Sequence, residues 1–283
     1  MIYNAKKNKR KIRVGQILLN LFLLLLVFVA LYPIYVMVIS SFKEQLDIFM
    51  NPFALPSPFK FENYSQAWTK ARMGTYFFNS VVISGTTVIS ILAVASMAAY
   101  VFSRFKFKGK QLLYLCLLAG MLLPGRLALV PQFILVRDLK LMDTQLSLIL
   151  IYVAGAMPFS IFMLANFFDK IPMQIEESAI IDGASVWRRY ASISLPLARP
   201  ALATVAVFNL NSVWNDFFLP LILMRTPAKM TLPVGLTVFF GEFTVQWNLL
   251  FAALVIASTP LIVLFLLMTK QFISGLTAGA LKG

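Results

Sequence analysis

Between residues 16 and 40 the chain carries no charged side chain. As a helix this stretch reaches about 37 Å at ~1.5 Å per residue, longer than the ~30 Å hydrocarbon layer of a bilayer. It exceeds the short apolar region of a signal peptide and lacks a clear small-residue cleavage site, so it reads as a spanning helix rather than a leader. Pro33 falls inside it and predicts a bend.

The pattern recurs. A second apolar stretch covers residues 78–102 and is rich in Ser, Thr, Gly and Ala, residues that let helices approach closely in lipid. A third begins near Gln111, but Pro124, Gly125 and Arg126 interrupt it and Pro131 follows. A broken helix at membrane depth must line a cavity, because free backbone groups are not tolerated against lipid. Further spans are expected at 146–168, 201–224 and 249–269. With 60% hydrophobic and 13% charged residues and a mean hydropathy of +0.82, 283 residues of this kind make an all-α, polytopic membrane protein with six transmembrane helices. Six spans place both termini on one side.

The formal charge of +14 would suit a nucleic-acid binder if it lined one face, but the basic residues sit in short clusters beside apolar segments. They therefore report topology, with membrane lipid rather than nucleic acid as the neighbour. The N-terminus, the loop near 106, the loop near 185 and the tail hold sixteen of the 25 Lys and Arg, and the opposite side holds nine. By the positive-inside rule the first side is cytoplasmic.

Several chemistries lack their residues. Histidine is absent, and the single cysteine, Cys116, offers neither an intrachain disulfide nor a thiolate metal site. No G-x-x-x-x-G-K-[ST] phosphate loop occurs, so nucleotide must be handled by another chain. With no paired carboxylates and no activated nucleophile, the sequence does not read as an enzyme.

The most soluble-looking segment is 171–200, IPMQIEESAIIDGASVWRRYASISLPLARP, which holds Glu176, Glu177 and Asp182 between two apolar stretches. Pro172 is placed to open a helix at its first position, and Gly183 to end it where a left-handed residue is required. A second helix is expected over 184–190, stopped by Pro196 and Pro200. The segment reads as helix, tight turn, helix, lying on the cytoplasmic side by the charge count. An isolated segment of this kind is also what an amphipathic surface helix looks like.

Residues 177–184 (ESAIIDGA) followed by Ile193-x-Leu195-Pro196 resemble the EAA loop of binding-protein-dependent ABC importer permeases, with Ser178 where the family has its first alanine. Other pieces lie in the order of the maltose-type, carbohydrate-uptake branch: Tyr32-Pro33, Ser40-Ser41-Phe42-Lys43, Asn63-Tyr64, Asn79-Ser80, Ala99-Tyr100, Ser103-Arg104, Trp214-Asn215-Asp216 and the tail 275–283. The resemblance implies the type I ABC importer permease fold over one transmembrane domain, 1–283, with a permease core at 74–270 and the first span as an addition. It implies that 171–200 is a coupling loop docked on a separate ATPase. There Glu177 supplies a charge, Ala179 and Ala184 allow close approach, Gly183 makes the turn, and Asp182 is counted with them among the ATPase-coupling residues. It further implies a second permease subunit in a heterodimer, two ATPase subunits that bind ATP, an extracytoplasmic sugar-binding protein, and a bacterial cytoplasmic (inner) membrane location. No cofactor is expected in this chain.

Within the fifth span, Asn211 and Asn215 are four apart and share a face, and Asp216 is the one acid expected inside a span. One reading makes Asn211, Trp214, Asn215 and Asp216 a polar path for sugar, with Trp214 or Phe208 stacking on the ring. The other makes them adhesive between helices. An ion-coupled secondary transporter is the competing function, although such carriers usually use several intramembrane carboxylates and often inverted repeats.

Overall fold

A computed structural model describes residues 14–122, 125–241 and 244–280, with side chains over 15–269. The basic cluster at 6–13, Pro124 and the last three residues of the tail lie outside these. The described residues form helices joined by turns and short irregular stretches, with one isolated bridge, Phe240 to Val245, and no strand.

Helix α1 (Val14–Ser40) leads into α2 (Gln45–Met50), α3 (Glu62–Lys70) and the long α4 (Met73–Arg104). After a short turn come α5 (Lys110–Ala119), α6 (Leu129–Asp138) and α7 (Gln145–Phe168). Two short helices, α8 (Met173–Ile181) and α9 (Val186–Arg189), are followed by a π-helical turn at Tyr190–Ser194 and α10 (Leu195–Leu197). The chain closes with α11 (Arg199–Trp214), α12 (Phe218–Leu223), α13 (Leu232–Gly235) and α14 (Trp247–Ala280).

Four helices are long and apolar enough to cross a membrane singly, at Gly15–Ser40, Met73–Arg104, Gln145–Phe168 and Trp247–Thr269. Two bent pairs bring the number to six. Lys110–Leu122 and Gly125–Asp138 meet at 92°, which places the break where Pro124, Gly125 and Arg126 predict it. The other pair, Val186–Leu197 and Arg199–Trp214, meets at 74°. The expected continuous fifth span over 201–224 is instead two helices, because Pro220 has no N–H for the Asp216 carbonyl and its ring clashes there. The helix stops at Trp214 and restarts at Phe218. Through Ala280 the tail continues α14, so this part is not the loose terminus its small residues suggest.

The centre of the bundle is α4 packed along α7. The side of α4 that faces inward carries Ser80, Ser84, Thr87, Ala95, Ser96 and Ala99, all buried. Ser84 and Ser96 donate to carbonyls four residues back, which satisfies them within the helix, and Ser96 also meets the Tyr190 hydroxyl at 2.7 Å. Small side chains of this kind bring backbones close enough for dispersion to hold helices together in lipid, where no hydrophobic driving force acts between them.

At the end of the bundle where α4 and α7 begin, buried amides fasten the connections. Asn63 donates to the carbonyls of Ser41 and Lys43, each at 2.9 Å, and accepts from Asn248 at 3.0 Å. Asn79 donates to the carbonyls of Ala228 (2.8 Å) and Met230 (2.9 Å) and accepts from Gln145 (2.9 Å). Asp143, at φ +58°, accepts from the N–H groups of Arg225 and Thr226, from the Thr226 hydroxyl at 2.6 Å and from Lys229 at 3.2 Å. The Thr226 hydroxyl above all, then these backbone donors, hold the Asp143 carboxyl well below the usual carboxylate range.

Gly235 lies directly against the ring of Tyr76, and a Cβ there would overlap the ring. Both residues are buried, so the overlap has no cheap relief. Gly235→Ala should lower the thermal unfolding temperature of the detergent-solubilised protein, by an amount set by about 1–3 kcal/mol of overpacking. Gly85→Ala on α4, where a Cβ would meet nothing within 4 Å, serves as the comparison.

Candidate functional site: a docking loop and a polar cavity

Pro172 caps α8 from just outside it, one position earlier than expected, with extended backbone at ψ 132°. At the other end the N–H of Ala184 bonds the carbonyl of Ala179 (2.8 Å) and the N–H of Gly183 bonds Ile180 (3.0 Å). This pairing, with Gly183 at φ +75°, is a Schellman motif, and it makes Gly183 the turn residue, as its place in the sequence predicts. No atom crowds the position where a Cβ would lie, so the demand for glycine is set by backbone conformation alone.

Ser185 then caps α9, its hydroxyl accepting from the N–H of Arg188. Neither proline stops this helix: Pro196 lies in the first turn of α10 and Pro200 in the first turn of α11, where a missing N–H costs nothing. The change of direction falls at Ala198, between them.

The loop presents two faces. Glu176 and Ala179, three apart, point into the bundle and are buried. Glu177, Asp182 and a set of apolar side chains (Met173, Ile180, Ile181, Val186 and Trp187) are exposed, Ile181 by 86%. Ala184 is half-buried. An exposed apolar strip beside acids is the form of a surface that docks on another protein.

Glu176 is the residue that sequence reasoning missed. It is fully buried, and its carboxylate accepts from the Tyr100 hydroxyl (2.8 Å), Arg104 Nε (2.7 Å) and the Ser194 hydroxyl (2.7 Å). Arg189 Nη1 stands 3.9 Å away. Arg104 also donates to the Ile171 carbonyl at 3.0 Å. Burial pushes the Glu176 carboxyl up, but the hydrogen bonds from Ser194, Tyr100 and Arg104, with the Arg104 charge, outweigh it and hold the group below the usual carboxylate range. The available signal was the spacing of Tyr100 and Arg104, four apart and so on one face at the end of a span.

The polar residues of the fifth span divide. Trp214 is buried, its indole N–H on the Ala257 carbonyl (3.1 Å) and its ring edge-on to Phe77. It therefore joins α11 to α14. Asn211 and Asn215 share a face, with Asn215 Nδ2 3.0 Å from Asn211 Oδ1. Asn211 lines a shallow, mostly apolar depression with Leu261, Ile262 and Phe265.

Asp216 faces the other way, into a 660 Å³ cavity between α6, α7, α11 and α12. Its Oδ2 accepts from the Tyr152 hydroxyl at 2.7 Å and Oδ1 caps the N–H of Phe218. Asn209, Ser212, Gln132 and Arg126 contribute polar groups, and Phe159, Phe208 and Phe218 contribute rings. The Arg126 guanidinium lies 4.8 Å from the centre of the Phe218 ring. The volume lies within the ~300–1,000 Å³ of small-molecule sites, and the mixture of aromatic faces with hydroxyl, amide and opposite charges suits a neutral polyhydroxylated ligand.

Discontinuous spans around a polar cavity, with an anchored helix pair at one end, define the type I ABC importer permease fold. The same fold occurs in a bacterial ABC transporter involved in the import of the acidic polysaccharide alginate, at a TM-score of 0.83 and 24% identity over 96% of this chain and 99% of that one. The chain belongs to the family of binding-protein-dependent transport system inner membrane components, whose model matches residues 91–277. It is 37% identical over 256 residues to the diacetylchitobiose uptake system permease protein NgcG of Streptomyces coelicolor, covering 90% of this chain and 85% of that protein. It is 32% identical over 252 residues to the melibiose/raffinose/stachyose import permease protein MelC of Bacillus subtilis, covering 89% and 91%.

Two outcomes follow from the loop geometry. Gly183→Asn should be tolerated better than Gly183→Val, since Asn enters the left-handed region while a β-branched residue resists it; the relative yield of folded, membrane-inserted protein measures this. Because Glu176 is depressed in the folded chain, its stabilising contribution is complete above the unfolded value of about 4.3 and is lost as pH falls through the folded value. Proteolysis at 171–185 should therefore accelerate on acidification below about pH 4, and this acid-dependent step should be absent in Glu176→Gln.

Proposed function

We propose that this chain is a transmembrane permease subunit of an ATP-driven importer that moves a sugar or oligosaccharide into the cytoplasm. The observation that carries the reading is the exposed apolar strip on α8 and α9, built on an anchor inside the bundle, in a chain whose relatives are named as sugar permeases. A helix laid into a groove is a common way for one protein to grip another, and here it would pass nucleotide-driven motion to the spans. In this reading Glu177 and Asp182 meet the ATPase, Ala179 and Ala184 keep the approach close, and Gly183 sets the turn. ATP is bound by the partner; this chain needs no cofactor and acts as a transport subunit rather than an enzyme.

The basic-residue count supports placing the loop and both termini on the cytoplasmic side of a bacterial inner membrane. Two ATPase subunits, a second permease in a heterodimer and an extracytoplasmic sugar-binding protein complete the machine. The related alginate transporter is described in complex with a pentasaccharide-bound periplasmic protein, at a TM-score of 0.67. The cavity around Asp216 forms this subunit's part of the sugar path, with Asn211 and Asn215 on a separate face. Ion coupling is less well supported: Asp216, the spanning acid, is already engaged by Tyr152 and the Phe218 N–H.

Uptake of a panel of labelled mono- and oligosaccharides, in vesicles holding this chain with its presumed partners, tests the reading. Uptake should require ATP and collapse in Glu177→Arg while the complex still assembles. Asp216→Asn should raise KM or reorder the panel, whereas Asn211→Ala and Asn215→Ala should change neither by more than about 2-fold, under 0.5 kcal/mol. Uptake without ATP, or a silent Glu177→Arg, would remove the coupling-loop assignment.

A further inference from the structure

The acid that the loop directs outward and the acid that it directs inward have different chemistry. Glu177 is on the exposed face, whereas Glu176 is sealed off from any partner subunit. Three elements supply its donors: the inner end of α4 through Tyr100 and Arg104, the π turn below α11 through Ser194, and, more loosely, α9 through Arg189. The bond network also holds Ile171, the residue that leads out of α7. One carboxylate thus meets the ends of three spans.

We propose that Glu176 is a positioning residue for coupled transport, joining α8, the inner end of α4 and the π turn below α11 into a single moving body. The inference rests on the function proposed above and adds the route by which loop motion reaches the cavity. A push on α8 is carried through Ser194 to the 74° elbow at Ala198, and from there along α11 to Asn209, Ser212 and Asp216 in the cavity wall. The same push is carried through Arg104 and Tyr100 to α4, the helix on which the bundle is packed.

The joint is also asymmetric. Two guanidinium groups face one carboxylate, Arg104 at 2.7 Å and Arg189 at 3.9 Å, and Arg189 Nε is buried without an acceptor among the described residues. A buried charged donor left short of a partner needs a reason, and a second arrangement of this joint supplies one. Arg104 bonds Oε1 while Arg189 stands nearer Oε2, so Arg189 has an acceptor oxygen to move onto.

The test compares wild type with Glu176→Gln in the full complex with its ATPase and binding-protein partners. Two readouts are taken: sugar taken up per ATP hydrolysed, and the distance between spin labels at Gln174→Cys on α8 and Lys108→Cys beyond α4, in a Cys116→Ser background. The expected result is an assembled complex that hydrolyses ATP, with uptake per ATP at least 10-fold lower and a broadened label distance. An unchanged uptake ratio with an unchanged distance overturns the proposal. Loss of the ATPase subunits from purified Glu176→Gln complex also overturns it, because Glu176 would then serve docking. Failure of the underlying function looks different: wild type itself would show no ATP-dependent uptake.

Discussion

A carboxylate with no exposure to water is held at one end of this protein, and the arrangement of the end that carries α8 and α9 depends on it. Isolated burial of that charge would cost several kcal/mol, and it is offset only because a guanidinium and two hydroxyls meet Glu176 with short bonds. Removing one partner of such a pair typically costs about 3–5 kcal/mol, since the remaining charge is stranded. The position of α8 is therefore fixed by an electrostatic requirement more than by its large apolar side chains, which point outward. That division of labour leaves the exposed strip free for a partner.

The two ends of the bundle are held by different means. At the end with the short helices α2, α3 and α13, neutral amides and one low-pKa aspartate clamp backbone carbonyls and N–H groups, and both amide side chains donate to main-chain carbonyls. At the loop end the clamp is ionic, built from side chains with more than one available partner. Main-chain targets give a rigid frame, and a shared carboxylate gives a joint. Between them α4 and α7 meet through small residues interleaved with large buried ones, Ile91, Leu164 and Phe168 among them, so the spans transmit displacement as packed bodies.

Much of this was legible in the sequence because lipid restricts the choices. Apolar length gave the spans, the interruption at Pro124, Gly125 and Arg126 located one bent pair, and Gly183 announced the end of α8. The second break was hidden because Pro220 acts on the carbonyl of Asp216, four residues back, in a stretch whose average hydropathy is high. Glu176 was hidden for another reason. Two adjacent acids look equivalent in a chain, and only the rotation of the helix, about 100° per residue, sends one into the core and leaves the other outside. Trp214 beside Asp216 divides in the same way, one side chain bonding helices and the other lining the cavity.

The gap between α11 and α12 carries a consequence beyond the side chains around it. Where a helix ends, its last carbonyls lack partners within the helix, and where the next begins, its first N–H groups do. Here Asn215 and Asp216 already meet one group at each end, the Asn211 carbonyl and the Phe218 N–H, and the remaining groups bring opposite partial charges toward the rim of one cavity. A ligand with many hydroxyls can satisfy both with its own donors and acceptors, and no single substitution takes those contacts away. Specificity at such a rim would be generic for sugars, leaving the choice among them to the rings and polar side chains that vary around it.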